Sequence, residues 1–396
     1  MNVLEYTFWL SLALVFYTYI GYGVVITLAV RIKQLAGKFV SVPEKTVDKK
    51  YEPTVALLVA AFNEQDIIME KVENSLQLDY PREKLDLIFV TDGSTDHTAD
   101  LVRLYDSVRV IHSNERRGKT AAINRAMLDV DSEIAVFSDA NTMLNAGAIR
   151  RIVSRYSDPK IGCVAGEKRI IANKKDAANA AGEGLYWRYE SYLKKKDAEL
   201  YSAVGAAGEL FSVRTALYEK VETNTILDDF QISLTIAKKG HRIAYAPDAY
   251  AYETASASIT DELKRKIRIA AGGFQALISL KELLNPFKHG LLSFQYISHR
   301  VLRWTLAPLG LVALYGTNVG LLFTHGSQYL PLFLLQSTFY CAALIGWRIE
   351  SRQLRFKFFF VPYYFFIMNA AVYLGFFRYV RGQQSVLWER AGRMPL

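Results

Sequence analysis

The sequence predicts an α/β domain with a mostly parallel sheet, carried between membrane-spanning helices at both ends. Three observations point there. Uncharged apolar runs are pooled near the two termini, short β-rich runs alternate with helical periods in the middle, and each of those runs ends in polar or acidic residues. Strands alternating with helices imply right-handed crossovers and parallel pairing.

Average composition hides this segregation. The 396 residues carry a net charge of +9, with 51% hydrophobic, 13% aromatic and 22% charged residues. Soluble domains average about 45–50% apolar and about 25% charged. Cys163 and Cys341 are the only cysteines, which excludes a disulfide scaffold and a cysteine zinc cluster. High aromatic content and few prolines exclude disorder and collagen-like repeats.

Tyr6–Val30 has no charged residue, and about 20 apolar residues span a bilayer. No basic region precedes it and no small-residue cleavage site follows it. Residues 1–31 therefore read as a retained anchor rather than a cleaved signal. At the other end, residues 301–380 form a C-terminal membrane region. Trp304–Trp347 lacks Asp, Glu, Lys and Arg and is broken by the turn-like Thr324–Gln328, giving two spans. Phe358–Phe377, with Pro362 inside, is a third candidate at the lower length limit. A buried core hairpin is the competing reading, disfavoured by the lengths.

Arg31, Lys33, Lys38, Lys45, Lys49 and Lys50 follow the anchor and no Lys or Arg precedes it, so the middle domain is expected on the cytoplasmic side of an inner (plasma) membrane. Scarce cysteine agrees with that compartment. Arg348, Arg352, Arg355 and Lys357 place the loop before the last segment inside as well. Arg378, Arg381, Arg390 and Arg393 ask the same of the basic tail, residues 381–396. Both hold only if the last segment is re-entrant; otherwise the tail lies outside.

The middle domain is expected over residues 50–255. Strands are predicted at Thr54–Ala61, Leu85–Thr91, Val108–His112 and Glu133–Ser138. Helices follow around Ile67–Leu78, Thr98–Tyr105, Gly118–Leu128 and Ala146–Tyr156. Ligands of such sheets bind beyond the carboxyl ends of the strands. Asn63-Glu64 stands after the first strand, Asp92-Gly93-Ser94-Thr95-Asp96 after the second, and Asp139-Ala140-Asn141 after the fourth. An Asp-x-Asn pair after a strand suits Mg²⁺ or Mn²⁺, hard cations that take oxygen ligands and share them with phosphate. Lys119 opens a helix whose N-terminal N–H groups favour an anion. Singly these are turns and helix caps; together, each on its own strand, they favour a nucleoside-diphosphate site.

These segments, with Gly118-Lys119-Thr120-Ala121-Ala122-Ile123-Asn124 and Ser138-Asp139-Ala140-Asn141, resemble the membrane-bound family 2 glycosyltransferases, the group of poly-N-acetylglucosamine, hyaluronan, chitin and cellulose synthases. The resemblance covers nearly the whole chain. It implies a GT-A fold and a nucleotide-sugar donor, most often UDP-linked, with Asn63, Glu64, Asp92, Lys119 and Asp139 on the donor side. Asp92 would hold the uridine part. Asp139 would hold the metal, with Asn141 in place of the usual second Asp.

The resemblance also implies the acceptor side. Gly205-Ala206-Ala207-Gly208-Glu209-Leu210-Phe211 matches a segment lining the acceptor site, with Gly208 allowing close approach and Glu209 meeting a sugar hydroxyl; a strand start with an ordinary Glu is the equal alternative. Ile226-Leu227-Asp228-Asp229-Phe230 sits where the family carries its general base, which assigns that role to Asp229 with Asp228 as its neighbour. A helix cap near Gln231 is compatible with this.

Residues 256–300 read as an amphipathic interfacial segment. Leu263, Ile267, Ala270, Phe274 and Leu277 recur at helical spacing beside Lys264, Arg265, Lys266 and Arg268. In the resembled family this zone carries Gln/Arg-x-x-Arg-Trp; here Arg265 and Arg268 keep the basic positions for the donor diphosphate, and Ile269 replaces the Trp, which puts processive synthesis in doubt. Attraction to anionic lipid is the alternative for the basic run. The expected activity is inverting, metal-dependent sugar transfer to a glycan or lipid-linked acceptor at the bilayer, with no nucleic-acid partner. A transferase adding one sugar to a lipid-linked acceptor is the nearest alternative. A non-catalytic regulator is the alternative of another class, opposed by the intact acidic positions.

Overall fold

The computed structural model describes residues 2–39, 51–171, 177–254, 259–350, 357–383 and 385–387. Lys45, Lys49, Lys50, Arg352, Arg355, Arg390 and Arg393, used above to orient the chain, lie outside them.

Helices α1 (Val3–Phe16) and α2 (Tyr22–Phe39) run on through a π-helical turn, Tyr17–Gly21. Asn2 caps α1 and Glu5 returns the bond to the Asn2 N–H, a capping box that satisfies two of the free donors at a helix start. The domain follows as β1 (Val55–Ala61), α3 (Ile68–Leu76), β2 (Leu85–Asp92), α4 (Thr98–Arg103), β3 (Arg109–Ser113), α5 (Lys119–Ala126), β4 (Ile134–Asp139), β5 (Met143–Leu144), α6 (Ala148–Val153), β6 (Ile161–Ile171), α7 (Ala177–Leu200), β7 (Leu210–Arg214), α8 (Asp228–Lys238) and β8 (Arg242–Thr254). Helices α9 (Ile259–Ser279), α10 (Pro286–His289), α11 (Leu291–Tyr296), α12 (Leu302–Trp304), α13 (Leu306–His325), α14 (Leu330–Glu350) and α15 (Lys357–Val380) complete the chain.

One sheet holds the strands in the order β3-β2-β1-β4-β7-β6-β8-β5. The four predicted strands pair in parallel; β1, β2 and β4 are buried on both faces, as their near-continuous apolar runs require, while the edge strand β3 is only partly buried. The sheet is mixed beyond β4. Strand β7 pairs antiparallel with both β4 and β6, and β5 with β8. Parallel register aligns the carboxyl ends: Ala61 faces Thr91, Ala60 faces Asp139, and Asp92 faces Ser113. Antiparallel register then sets Leu210 opposite Ser138, which brings Gly208 and Glu209 beside Asp139.

Among the described residues, four helical stretches are long and apolar enough to cross a membrane: Val3–Ala36, Leu306–Gln328, Leu330–Ile349 and Phe359–Val380. Their most apolar windows are 33%, 39%, 17% and 28% buried, so most of that surface faces outward, where only lipid or another protein solvates it favourably. The turn between α13 and α14 lies by the chain start, with Tyr329 OH donating to Glu5 Oε1 at 3.3 Å. Helix α15 behaves differently. Its first turns pack on the end of α14 (Gly346 against Phe359 and Tyr363) and on Tyr186 of α7, and its last turns pack on α9, Gly375 against Ala270 and Phe376 against Phe274. Val386 beyond it lies against Gly118. The described tail therefore stands beside the sheet domain.

The basic run on α9 turns inward rather than to a lipid surface. Lys266 is buried, 3.4 Å from Glu262 and over the rings of Tyr186 and Trp187. Arg265 pairs with Glu262 at 2.9 Å. Only Lys264 of the run is exposed. The buried Glu262 carboxylate on the same helix and aromatic faces on α7 outcompete solvent for Arg265 and Lys266.

Candidate active site

Three turns carry the residues expected on the donor side. Asn63 sits in the left-handed region (φ 52°), and its side chain locks the next turn: Oδ1 accepts from Thr95 N–H at 2.8 Å and Nδ2 donates to Thr95 Oγ1 at 3.2 Å. Glu64 is buried, and its N–H donates to Thr98 Oγ1 at 2.8 Å. Asp92 is fully buried; its Oδ2 accepts from the N–H groups of Arg117 (2.9 Å) and Gly118 (2.6 Å), while Oδ1 has Arg125 at 3.7 Å and no hydrogen bond. Gly93 is required here: at φ 68° an added Cβ would stand 2.6 Å from Arg116 Cβ. Arg116 stacks on Phe62 at 3.7 Å from the ring centroid, a pairing the sequence reading missed. Two residues from adjacent turns meet there, and only tertiary proximity reveals it.

Lys119 reaches across the cleft and donates to Asp139 Oδ1 at 2.6 Å. Burial opposes the Lys119 charge, but Asp139, Asp228 and Asp229 outweigh it and raise its pKa. Burial raises Asp139 as well, with Lys119 offsetting only part. The Asp139 side chain is still 32% exposed, so it opens onto the cleft, with Asn141 two residues on. Among the described residues no three His, Cys, Asp or Glu side chains form a metal cluster.

The residues expected on the acceptor side converge on the same spot. A Cβ added at Gly208 would stand 2.9 Å from Lys119 Nζ and 3.3 Å from Asp229 Oδ2. Helix α8 starts at Asp228, three residues earlier than expected, so both carboxylates lie in its first turn, where the helix dipole favours them. Asp229 Oδ1 accepts from the Phe230 N–H at 2.8 Å. Burial first, then the like charge of Asp228, push Asp229 up to about 7, against the pull of Lys119. Asp228 is buried and its Oδ2 has no hydrogen-bond partner. Arg268 is near: its pKa is lowered by burial and drawn back by Asp228 and Asp139, and its Nε makes no hydrogen bond.

Glu209 and Arg265 sit one step away. Lys168, buried and unnoticed in the sequence, binds Glu209 at 2.7 Å and also pairs with Glu253. It holds the Glu209 carboxyl well below the usual range despite burial. Arg265, expected on the diphosphate, is engaged by Glu262 on the Glu209 side; Arg268 alone of the two faces the Asp139–Asp228 cluster. Lys71 was missed too. It lies on the buried stripe of α3 with Ile68, Val72 and Ser75, and a lysine on an apolar stripe was the available signal. Its ammonium donates to Ser138 Oγ (2.8 Å) and Thr142 O (2.5 Å). Burial pulls it down to about 7, with Asp139 pulling back.

The chain is similar to known proteins over this region. The family described as "Glycosyltransferase like family 2" matches residues 53–272. The poly-beta-1,6-N-acetyl-D-glucosamine synthase of Staphylococcus aureus (strain MSSA476) is 27% identical over 234 residues, 57% of this chain and 55% of that protein. The synthase of the same name from Staphylococcus epidermidis is 25% identical over 236 residues. The match thus spans about half the length of these curated relatives. Mannosyltransferase PcManGT from Pyrobaculum calidifontis, solved in complex with GDP-Man and Mn2+, superposes with a TM-score of 0.67 over 96% of this chain and 100% of that one, at 22% identity, a likeness of fold. The chain is a glycosyltransferase and belongs to family 2 of these enzymes.

Proposed function

We propose that the chain transfers a sugar, with inversion, from a nucleotide-sugar donor to a glycan or lipid-linked acceptor at the cytoplasmic membrane face, in polysaccharide synthesis. The observation that carries this reading is the meeting of Asp229, Lys119 and Asp139 around Gly208. One half-buried carboxylate there, Asp229, has its pKa raised to about 7, the range in which a general base works best at neutral pH. Beside it, a cationic and an anionic group face the turn of Asn141.

In this reading Asp92 and its turn hold the nucleoside, and Lys119 and Arg268 hold the diphosphate. Asp139 and the amide oxygen of Asn141 fit a hard divalent cation, Mg²⁺ or Mn²⁺, which takes few protein oxygens and completes its shell with water and phosphate. When bound, that ion neutralises charge on the leaving diphosphate. Glu209, held by Lys168, and Asp228 orient the acceptor. Asp229 takes the proton from the acceptor hydroxyl, whose oxygen attacks the anomeric carbon opposite the leaving diphosphate. One displacement inverts the configuration, so an α-linked donor yields a β-linked product.

The named activity of the staphylococcal relatives makes UDP-N-acetylglucosamine the first donor to test. Purified chain in lipid nanodiscs, with Mn²⁺ and a panel of UDP- and GDP-sugars, should release nucleoside diphosphate and elongate a glycan or glycolipid. No release with any donor would sink the proposal. Product length then separates polymerisation from single transfer.

A further inference from the structure

We propose that Lys71 is a positioning residue for sugar transfer, a buried ammonium that clamps the Asp139–Asn141 turn from behind and ties it to the acceptor segment at Glu209. The inference rests on the reading that this turn receives the donor diphosphate.

Lys71 comes from α3, behind the sheet, and is 0% exposed. Its two hydrogen bonds fall on either side of the turn: one to the side chain of Ser138, the residue before Asp139, and one to the backbone carbonyl of Thr142, the residue after Asn141. Those partners in turn hold the far side of the cleft. Ser138 Oγ donates to the Glu209 carbonyl at 3.2 Å, and Thr142 Oγ1 donates to the Asp139 carbonyl at 3.0 Å. A single side chain thus fixes both shoulders of the donor turn and, through Ser138, the register of β4 against Gly208–Glu209.

A buried charge is costly unless it is matched. An ammonium has three donors, and both of the partners found for Lys71 are neutral oxygens. Burial works against its charged form, and among the charged groups Asp139 favours it. A neutral side chain of similar length would pack in the same place at lower cost if scaffolding were the whole purpose. Lys71 instead supplies both the geometry of the turn and a positive field beneath it.

The test uses the full chain in nanodiscs with Mn²⁺, UDP and GDP as diphosphate probes, and the matching nucleoside monophosphates, whose base contacts lie at Asp92. Lys71→Met keeps the apolar stem and removes charge and donors. Supporting residues around such sites typically contribute about 10–100-fold, so the variant should bind the preferred diphosphate at least about tenfold more weakly. Monophosphate affinity should change less than about twofold, and kcat should fall with diphosphate affinity. Unaltered diphosphate affinity and kcat would overturn the inference. So would equal loss of both nucleotides in a variant that still folds, which marks a purely structural lysine. Ser138→Ala provides an independent arm should Lys71→Met not fold. It cuts one clamp bond and the link to Glu209 while leaving the charge, and should weaken diphosphate binding in the same direction; wild-type binding there also overturns the inference. If the wild-type chain itself binds no nucleoside diphosphate, the reading of the Asp139 turn fails instead.

Discussion

Lys119 Nζ stands 2.6 Å from Asp139 Oδ1, so this carboxylate already holds a cation of the protein's own. In the proposed reading a divalent ion would compete with Lys119 for that oxygen. Lys119→Met should therefore tighten Mn²⁺ binding, measured by calorimetry, while lowering transfer by about 10–100-fold through loss of a phosphate-binding charge. Asp139→Ala should do the opposite to the metal, abolishing metal-dependent donor binding. Donor affinity indifferent to both Asp139→Ala and chelator would remove the metal from the reaction.

Asp229→Asn keeps the shape of the side chain and removes the proposed base. Transfer should fall by about 10²–10⁴-fold, the usual contribution of general base catalysis, while donor affinity is retained. Single-turnover assays beside equilibrium donor binding separate the two, and near-normal turnover would take Asp229 out of the role.

The acid limb of the pH profile should belong to Asp229. Asp228, Lys119, Glu209 and Arg268 face it, and burial with Asp228 raises it to about 7. Below that pH the base is protonated and kcat/KM should drop about tenfold per pH unit. Asp228→Asn removes a like charge and should shift the limb to lower pH. Stability follows with the opposite sense. Because the folded pKa lies above the ordinary value of 3.8, the native state holds the extra proton, and its contribution is lost as pH rises from about 4 through about 7. Thermal midpoints of wild type and Asp229→Asn should diverge over that window.

Two glycines of the acceptor segment should respond differently to alanine. Gly205 has φ +85° and a Cβ there would stand 2.3 Å from the Phe230 ring, so Gly205→Ala should cost at least about 1–3 kcal/mol by overpacking. Gly208 meets only the movable tips of Lys119 and Asp229. Gly208→Ala should leave the thermal midpoint nearly unchanged while cutting transfer by about tenfold, since misplacement of reacting groups by fractions of an ångström is expensive.

A buried polar cluster joins the first membrane helix to the domain. Asp197 accepts from Tyr22 OH, from His299 Nδ1 at 2.6 Å and from Gln295 at 3.2 Å, and Glu190 pairs with Arg300 and with Arg303 at 2.9 Å. Removing one partner of such a network strands the others. Asp197→Ala should destabilise by about 3–5 kcal/mol, read as a lower unfolding midpoint in nanodiscs.

Local chemistry was legible in the sequence wherever it follows from neighbours in the chain. Apolar pooling marked α1, α2, α13 and α14, and the buried runs Val55–Ala61 and Ile134–Asp139 marked the parallel core, because side-chain periodicity and hydrophobicity act over a few residues. The positions after those strands, Asp92, Asp139 and Asn141, followed from the rule that such sheets bind ligands at their carboxyl ends. Tertiary structure alone decided the rest. It turned Lys266 and Arg265 inward onto Glu262 instead of outward to lipid, brought Val386 back to Gly118, and placed Lys168 on Glu209 and Lys71 beneath Asp139. Each of these is an encounter between a charge or chain end and a partner from another element. Whether a cation meets water, lipid or a buried carboxylate is set by three-dimensional distance and desolvation, which no one-dimensional pattern contains.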